Sequence, residues 1–431
     1  MPSPQFIVDG GRRLAGTIRP TGNKNAALPI LCAALLTDQP VTLRNVPRIR
    51  DIESLVQLIR QSGASAEWSP ADANTLVIHA KVVRGDSLDP ELCKGIRASI
   101  LLAAPLLARA GKVTLAPPGG DVIGRRRLDT HFLALAALGA EHLFAERITF
   151  MTGARGLVGA DIFLDEPSVT GTENAVMAAV AAKGRTTLHN AASEPHVQDL
   201  CRMLVSMGAQ IEGIGSNVLN IEGGNDLHGC THTVGPDHIE VGSFIGLAAV
   251  TRSALRIADA GVTHLRSVRL GFERLGVETI IEGDDLIVPE KQELRIRSDI
   301  GGAVPKLEDQ PWPAFPADLM SIAIVTATQC EGIILMHEKM FESRLFFVDK
   351  LAGMGARIVL CDPHRALVSG PTMLRGATVE SPDIRAGMAI LIAALCATGT
   401  STINNIGQIE RGYERIDERL NALGASIRRV G

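Results

Sequence analysis

The chain has 431 residues, of which 46% are hydrophobic and 21% charged, and it carries a formal net charge of −4. This length and composition predict a soluble globular protein of two or three domains. Neither the charge nor the 3% content of aromatic residues suits a general nucleic-acid-binding protein, which needs a broad basic face or a base-stacking surface.

The seven cysteines are odd in number, scattered, and mostly set among apolar residues. No pair has the spacing of a zinc site, so we expect free thiols in a reducing cytosol and no bound metal. Residues 1–11 show no basic segment followed by an apolar core, and the apolar run at 100–107 is too short to cross a bilayer. These features predict a cytoplasmic protein with no membrane segment.

A short motif of an apolar residue or serine, then glycine, then alanine or valine recurs along the chain. Its copies lie about 70 to 80 residues apart, which is long enough for a small α/β unit. The six copies are Ser62-Gly63-Ala64, Leu138-Gly139-Ala140, Met207-Gly208-Ala209, Leu275-Gly276-Val277, Met354-Gly355-Ala356 and Leu423-Gly424-Ala425. An amphipathic segment precedes the glycine, as at 51–59, and a β-like stretch follows it, as at 357–360. Each glycine is therefore predicted to end a helix in the left-handed conformation.

Each unit also contains an earlier segment that is rich in Ala, Leu, Ile and Val on nearly all sides. These segments are Asn25–Leu36, Ala98–Ala108, Thr172–Ala182, Gly242–Thr251, Leu319–Ala327 and Ala386–Cys396. A helix that is apolar all round belongs in a domain interior. The sequence therefore predicts an α/β fold of six units with buried helices, three units to a domain.

The polar, glycine-rich stretch at 223–236 follows the third unit and predicts the domain boundary. We assign residues 24–233 to an N-terminal domain. Residues 1–23 and 234–431 form the predicted C-terminal domain, whose last sheet the opening strand near 5–8 would complete.

Polar residues recur where these helices begin. Aligning the units on their glycines places six basic residues at equivalent helix starts, namely Lys24, Arg97, Arg126, Arg344, Arg385 and Arg411. Helix N-termini carry free N–H groups and a partial positive charge, so several of them facing one region would bind an anion. Helix capping and salt bridges are the structural alternative, but six basic residues exceed what capping requires.

Two further features have competing interpretations. The loop 116–129 carries two prolines, three glycines, two acids and three arginines, so it is either a mobile lid over an anionic small molecule or an ordinary solvated turn. Asp318 follows a proline-rich entry, Pro311 to Ala317, that fixes it at a helix start. It is either an N-cap or a general base that accepts a hydroxyl proton.

Several motifs together resemble a known family. They are Gly22-Asn23-Lys24-Asn25-Ala26-Ala27-Leu28-Pro29, Pro118-Gly119-Gly120, Thr172-Glu173-Asn174, Pro313-Ala314-Phe315-Pro316 with Asp318, Phe341-Glu342-Ser343-Arg344, Asp383-Ile384-Arg385-Ala386 and Arg411-Gly412-Tyr413-Glu414-Arg415. From the first strand to the last residues, the chain is similar to the UDP-N-acetylglucosamine 1-carboxyvinyltransferases of the enolpyruvyl transferase family. Asn23-Lys24-Asn25 does not match the Ser-Lys-Ser type of sequence found in the related EPSP synthases.

The resemblance implies the EPSP synthase-like fold, a two-domain inside-out α/β barrel with a cleft between the domains and six βαβαββ-type repeats. It also implies a reaction in which the 3′-hydroxyl of UDP-N-acetylglucosamine adds to phosphoenolpyruvate, and phosphate is then lost. This is the first committed step of peptidoglycan synthesis, on which the cell wall, cell shape and cell division depend. Addition and elimination need an acid, a base and cations, so no cofactor is expected.

The resemblance assigns roles residue by residue. Lys24, Arg126, Arg385 and Arg411 would hold phosphoenolpyruvate, and Asp383 would assist near the reacting carbons. Asn25 and Asp318 would contact the sugar, with Asp318 as the base. Arg97 and Arg344 would support the site. The residues that would contact the nucleotide are Arg126, Arg127, Leu128, Asp129, Ser168 and Val169.

Three positions depart from the family pattern. Asp121 stands where the family usually has a lid cysteine, which implies that Asp121 donates the proton to C3 and that the enzyme resists fosfomycin, a drug that alkylates the thiol. Arg127 replaces a usual proline, and Glu166 lies near a usual lysine that faces the diphosphate. These two changes leave open a different acceptor, and a non-catalytic protein that binds a nucleotide sugar is a third interpretation.

Overall fold

The structure is a computed structural model that describes residues 4–86, 88–121 and 123–431. Its strands, in chain order, are β1 (Gln5–Asp9), β2 (Ala15–Ile18), β3 (Val41–Arg44), β4 (Ser65–Trp68), β5 (Leu76–His79), β6 (Lys112–Leu115), β7 (Ala140–Phe144), β8 (Ile148–Thr152), β9 (Asp161–Phe163), β10 (Gly184–His189), β11 (Gln210–Glu212), β12 (Val218–Gly223), β13 (Thr231–Thr233), β14 (Ala254–Ile257), β15 (Ile280–Glu282), β16 (Asp285–Val288), β17 (Lys306–Glu308), β18 (Gly332–His337), β19 (Arg357–Asp362), β20 (Arg365–Gly370), β21 (Thr378–Glu380), β22 (Thr400–Asn404) and β23 (Ile427–Val430).

The α-helices are α1 (Lys24–Ala33), α2 (Arg50–Gln61), α3 (Pro90–Gly95), α4 (Ala103–Ala110), α5 (Asp129–Ala137), α6 (Val169–Ala181), α7 (Pro195–Ser206), α8 (His238–Val250), α9 (Arg266–Arg274), α10 (Met320–Ala327), α11 (Val348–Gly353), α12 (Ile384–Cys396) and α13 (Ile416–Asn421). Short 3₁₀ turns extend several of them, including Arg97–Leu102 before α4, Ala317–Leu319 before α10 and Arg344–Phe347 before α11.

The chain divides into two compact units. The N-terminal unit contains residues 22–121 and 126–235, and the C-terminal unit contains the described residues 4–21, 123–125 and 236–431. Each unit has its own apolar core of buried residues.

The described residues of each unit form three small sheets. The N-terminal unit has the strand orders β13-β3-β5-β4, β11-β12-β10-β9 and β6-β8-β7. The C-terminal unit has the orders β15-β16-β14-β2, β17-β18-β20-β19 and β21-β22-β1-β23. Every four-stranded sheet combines one parallel pair with two antiparallel pairs, as in β17-β18-β20-β19. The recurrence of one pattern confirms the predicted repeat.

The apolar helices lie in the interior, as their composition predicts. All residues of α8 and α10 are buried, and so is α12 except for its last residue, Cys396. These three helices pack against one another inside the C-terminal unit, and α4 and α6 pack together inside the N-terminal unit. Burying helices beneath surrounding sheets is the inside-out arrangement, so the predicted α/β fold class is confirmed.

The recurring glycine has the predicted backbone conformation in every unit. The φ angles are 99° at Gly63, 95° at Gly139, 105° at Gly208, 81° at Gly276, 106° at Gly355 and 102° at Gly424. A side chain at such angles is strained, so glycine is the residue that ends each helix and turns the chain into the next strand.

Candidate active site

The most strongly organised charged cluster lies in the C-terminal unit around Asp318. Arg344 Nη2 donates to Asp318 Oδ1 at 3.0 Å, and Arg385 donates to Oδ2 from Nε at 3.0 Å and lies 2.9 Å away through Nη2. The two arginine side chains are only 3% and 5% exposed, whereas the Asp318 side chain is 28% exposed. Both carboxylate oxygens are therefore oriented by buried cations while part of the group stays accessible.

This geometry excludes one of the two interpretations of Asp318. The residue lies in the 3₁₀ turn Ala317–Leu319, and the N-cap position of α10 is Leu319, without a side-chain cap. Asp318 is therefore not the helix cap, and the capping interpretation is wrong. The proline-rich entry instead directs the carboxylate towards two arginines from elsewhere in the unit.

Arg385 is held from its other side by Tyr413. The guanidinium lies 5.6 Å from the centre of the Tyr413 ring, and the Tyr413 hydroxyl is hydrogen-bonded to Ser243 Oγ at 2.9 Å. Burial raises the pKa of Tyr413, so the phenol stays neutral. Burial alone would lower the pKa of Arg385, but Asp318, Tyr413 and Asp237 together outweigh it and raise that pKa above the ordinary value.

Two other predicted residues lie in the same unit. Asp383 caps α12, and its Oδ1 accepts hydrogen bonds from the backbone N–H groups of Arg385 and Ala386 at 2.8 and 3.0 Å. Its charge also helps to raise the pKa of Arg344 against the effect of burial. Arg411 ends the 3₁₀ turn Ile406–Arg411, where its Nη1 donates to Gln408 Oε1 at 3.0 Å.

In the N-terminal unit, Lys24 forms a buried ion pair that the sequence did not predict. Lys24 is the first residue of α1, and its Nζ lies 2.7 Å from Asp51 Oδ2, with side chains only 8% and 7% exposed. Asp51 follows Arg50 at the start of α2. Asn25, next to Lys24, is half-buried. The sequence shows Asp51 as an acidic residue in the first turn of an amphipathic helix. Such a residue is equally well explained by its favourable interaction with the helix dipole, so the pattern does not point to a partner.

The loop 116–129 is anchored through Arg97. Arg97 Nη2 donates to the carbonyl oxygens of Arg126 at 2.9 Å and Arg127 at 2.7 Å. Burial, together with the charge of Arg126, lowers the pKa of Arg97 to about 10, at which the group is still cationic near neutral pH. A Cβ on Gly119 would lie 1.9 Å from the Lys94 carbonyl oxygen, so the loop needs a glycine there.

The tip of this loop packs within the C-terminal unit. Ile123 accepts a hydrogen bond from Ser343 N at 3.0 Å, and Arg125 N donates to Glu342 Oε2 at 3.1 Å. The tip therefore contacts the Phe341 to Arg344 segment that the sequence singled out. Asp121, at the edge of the tip, is half-buried.

The two departures at Arg127 and Glu166 interact with each other. Arg127 Nη2 lies 2.8 Å from Asp165 Oδ2 and 3.4 Å from Glu166 Oε2, and Glu166 is the main cause of the raised pKa of Arg127. Asp165 also accepts a hydrogen bond from Thr130 Oγ1 at 2.7 Å. The negative charge of Glu166 is thus paired with the positive charge of Arg127.

The other residues predicted to contact the nucleotide begin two helices of the same unit. Leu128 immediately precedes α5, and Asp129 is its first residue. Ser168 caps α6, with its Oγ accepting from Gly171 N at 3.2 Å, and Val169 is the first residue of that helix. Both helix starts present backbone N–H groups of the kind that bind anions.

The predicted residues therefore fall into two groups. Direct contacts join Asp318, Arg344 and Arg385 in the C-terminal unit, and Arg97 with the backbone of Arg126 and Arg127 in the N-terminal unit. Within the part of the chain that the structure describes, no set of three or more metal-ligating side chains is placed to hold an ion. Over the same residues, no helix has the length and hydropathy needed to span a membrane.

Comparison with known proteins extends these observations. A model of the family EPSP synthase (3-phosphoshikimate 1-carboxyvinyltransferase) matches residues 8–420. A UDP-N-acetylglucosamine 1-carboxyvinyltransferase of Bradyrhizobium diazoefficiens is 71% identical over 426 residues, covering 99% of this chain and 98% of the relative. The enzyme of the same name from Treponema denticola is 54% identical over 423 residues, covering 98% of each chain.

Solved structures have the same fold. The enolpyruvyl transferase NikO from Streptomyces tendae superimposes with a TM-score of 0.87 at 26% identity, covering 100% of this chain and 99% of that one. An EPSP synthase from Acinetobacter baumannii gives a TM-score of 0.76 at 17% identity over both whole chains, a likeness of fold alone. The chain therefore belongs to the EPSP synthase family of enolpyruvyl transferases, among the UDP-N-acetylglucosamine 1-carboxyvinyltransferases.

Proposed function

We propose that the protein transfers the enolpyruvyl group of phosphoenolpyruvate to the 3′-hydroxyl of UDP-N-acetylglucosamine with release of phosphate. This is the first committed step of peptidoglycan synthesis, so the activity supports the cell wall, cell shape and cell division. The observation that carries the proposal is the accessible carboxylate of Asp318, held by two buried arginines in a chain 71% identical to a relative of that name.

The reaction has an addition step and an elimination step. In the addition, the sugar oxygen bonds to C2 of phosphoenolpyruvate, the hydroxyl proton passes to Asp318, and C3 gains a proton from Asp121. In the elimination, the bond between C2 and the phosphate oxygen breaks, C3 loses a proton, and phosphate leaves. An oriented carboxylate is suited to accept the hydroxyl proton because its oxygens need no reorganisation.

The basic residues bind and orient the anionic substrate. Lys24, Arg126, Arg385 and Arg411 hold the phosphate and carboxylate of phosphoenolpyruvate and stabilise the charge of the tetrahedral adduct, since guanidinium groups fit such oxygens in pairs. Asp383 assists near the reacting carbons, which its position at the start of α12 supports.

Three further residues hold the site in place or contact the sugar. Arg97 and Arg344 support the site from behind, consistent with their hydrogen bonds to the loop backbone and to Asp318. Asn25 contacts the sugar together with Asp318.

The nucleotide is recognised by a second set of residues, consisting of Arg126, Arg127, Leu128, Asp129, Ser168 and Val169. The ion pair between Arg127 and Glu166 favours one alternative, an enolpyruvyl transferase with a different nucleotide-sugar acceptor, because it changes the charge pattern on this side. We further propose that the two compact units are the two domains assigned as 24–233 and as 1–23 with 234–431, and that the enzyme works in the cytoplasm.

Phosphate release tests these possibilities directly. The purified protein is mixed with phosphoenolpyruvate and UDP-N-acetylglucosamine, and free phosphate is measured over time. Release supports the proposal, and release only with another nucleotide sugar supports the alternative acceptor. No release with any acceptor would indicate a non-catalytic nucleotide-sugar-binding protein.

A further inference from the structure

A buried pair of acidic residues lies behind the Asp318 cluster. Glu338 directly follows β18 and Asp309 directly follows β17, and these two strands are parallel neighbours. The carboxyl ends of the two strands therefore lie side by side. Both side chains are 0% exposed. We call Asp309 and Glu338 the carboxyl pair.

Within the part of the chain that the structure describes, the hydrogen bonds of the carboxyl pair leave one oxygen on each residue without a donor. Asp309 Oδ1 accepts from Lys339 N at 2.5 Å, and Glu338 Oε1 accepts from Phe341 N at 3.1 Å and Met340 N at 3.3 Å. Asp309 Oδ2 and Glu338 Oε2 have no N–H or O–H donor among the described residues. The two side chains nevertheless contact each other directly. Two carboxylates in contact away from water cannot both stay ionised, so the pair holds a proton.

The neighbouring guanidinium has the geometry expected if one proton is retained. Arg344 Nε lies 3.6 Å from Glu338 Oε2, too far for a hydrogen bond, whereas Arg344 Nη2 bonds Asp318 at 3.0 Å. With one proton, the pair carries a single negative charge. Loss of the proton adds a second negative charge beside Arg344.

Building on the proposed role of Asp318 as the base, we propose that Asp309 and Glu338 are positioning residues that share one proton and thereby keep Arg344 hydrogen-bonded to Asp318. Loss of that proton places a full negative charge on Glu338. Arg344 is then drawn from Asp318 towards Glu338, and the base loses one of its two orienting hydrogen bonds.

The surroundings predict the pH at which this happens. Burial raises the pKa of Glu338 to about 9, with Asp309 adding to the effect and Arg344 opposing it. The backbone N–H of Lys339 donates to Asp309, the His364 ring lies against the backbone of Glu338, and Asp318, Asp383 and Arg385 are the charged groups that act on Arg344. His364 reaches only the backbone oxygen of Glu338, so its ring does not compete for the shared proton.

The pH profile of kcat/KM tests the proposal with two amide variants. In Glu338→Gln, the amide donates to Asp309 and mimics the protonated acid. In Asp309→Asn, the amide donates to Glu338, and again only one charge remains. We expect wild-type kcat/KM to fall with a half-point near pH 9, whereas both variants keep near-wild-type turnover at pH 7 and their alkaline fall moves up by about one pH unit or more.

Glu308→Gln is the matched control. Glu308 is the residue just before Asp309 and forms ion pairs with Lys306 and Lys339, which hold its pKa below the usual range. Its replacement should leave the alkaline fall at the wild-type pH. If the carboxyl pair had only a structural role, the alkaline fall in kcat/KM would stay at the wild-type pH in the two amide variants as well.

Thermal unfolding provides a readout that needs no substrate. The folded protein keeps a proton that the unfolded chain releases above about pH 4.5, so the stability from this pair is lost as the pH rises towards 9. The Tm of Glu338→Gln should therefore rise relative to wild type between pH 6 and about 8.5. A protein that released no phosphate would refute the proposed function, while this comparison would still test the shared proton.

Two outcomes would overturn the inference. A Tm difference that does not change with pH would mean that no proton is held. A Tm difference that changes with pH, together with an alkaline fall at the same pH in wild type and both amide variants, would mean that the pair does not act on Asp318.

Discussion

Asp318 in the C-terminal unit and Arg97 in the N-terminal unit each bond two partners, but the partners are of different kinds. Asp318 is hydrogen-bonded to two buried arginines, one of which packs against Tyr413. Arg97 instead donates to two backbone carbonyls of a loop rich in glycine and arginine. Hydrogen bonds to backbone carbonyls fix the path of the loop, whereas a network of buried charges fixes the orientation of one side chain. The C-terminal unit is thus suited to hold a carboxylate in one orientation.

The largest effect is expected from removing the base. Asp318→Asn keeps the shape of the side chain but cannot take up the hydroxyl proton, so kcat should fall by about 10²- to 10⁴-fold. Initial rates of phosphate release measure this. Asp349→Asn, at an exposed aspartate of α11, is the control and should retain full activity. A variant Asp318→Asn with more than about a tenth of wild-type kcat would exclude proton transfer to Asp318.

The loop side is tested through Asp121. Asp121→Asn should lose about 100-fold or more in kcat because an amide cannot donate the proton to C3. Fosfomycin should leave the mass of the wild-type protein unchanged, since no thiol occupies this position, whereas Asp121→Cys should gain one covalent adduct by mass spectrometry. Wild type is itself the matched control, because it carries the exposed Cys361. Rapid modification of the wild-type protein by the drug would contradict the prediction.

An intermediate effect is expected at the buried pair of the N-terminal unit. Asp51→Asn removes the counter-charge of Lys24 and should lower the free energy of unfolding by about 3 kcal/mol, because an ammonium group is left buried without its partner. Urea denaturation at neutral pH measures the loss.

The matched control for this pair is an exposed one. Glu331→Gln breaks the ion pair with Arg295 and should change the free energy by no more than about 0.5 kcal/mol. Equal effects of the two substitutions would show that burial adds nothing to the Lys24 interaction.

The smallest effect is expected where the loop meets Glu166. Arg127→Glu should raise the KM for UDP-N-acetylglucosamine a few fold, because the introduced acid then faces both Asp165 and Glu166. The exchange variant Arg127→Glu with Glu166→Arg should recover most of the loss. Steady-state kinetics with varied nucleotide sugar measure both. No recovery in the exchange variant would mean that the two residues act separately.

Local features of the sequence predicted much of the fold. The repeated glycines end helices because one residue alone decides the left-handed turn, and the apolar helices are buried because their composition allows nothing else. The family assignment followed from motifs such as Asn23-Lys24-Asn25 and is confirmed by the relatives.

Contacts between distant residues were less predictable. Asp51, Asp309 and Glu338 were missed because each meets its partner through tertiary packing, and in the carboxyl pair through the parallel pairing of two strands. In the sequence, Arg127 and Glu166 are two separate departures from the family pattern, although in the structure they form one ion pair. The roles of the individual site residues stay predictions until the variants are measured.

Strand β1 lies between β22 and β23 in the last sheet of the C-terminal unit. During synthesis on the ribosome, this strand is made almost 400 residues before β22, the first of its two neighbours. At roughly 5 to 20 residues per second, β1 therefore waits about 20 to 80 s for β22. The nascent protein must keep this short apolar segment from pairing with other chains throughout that interval.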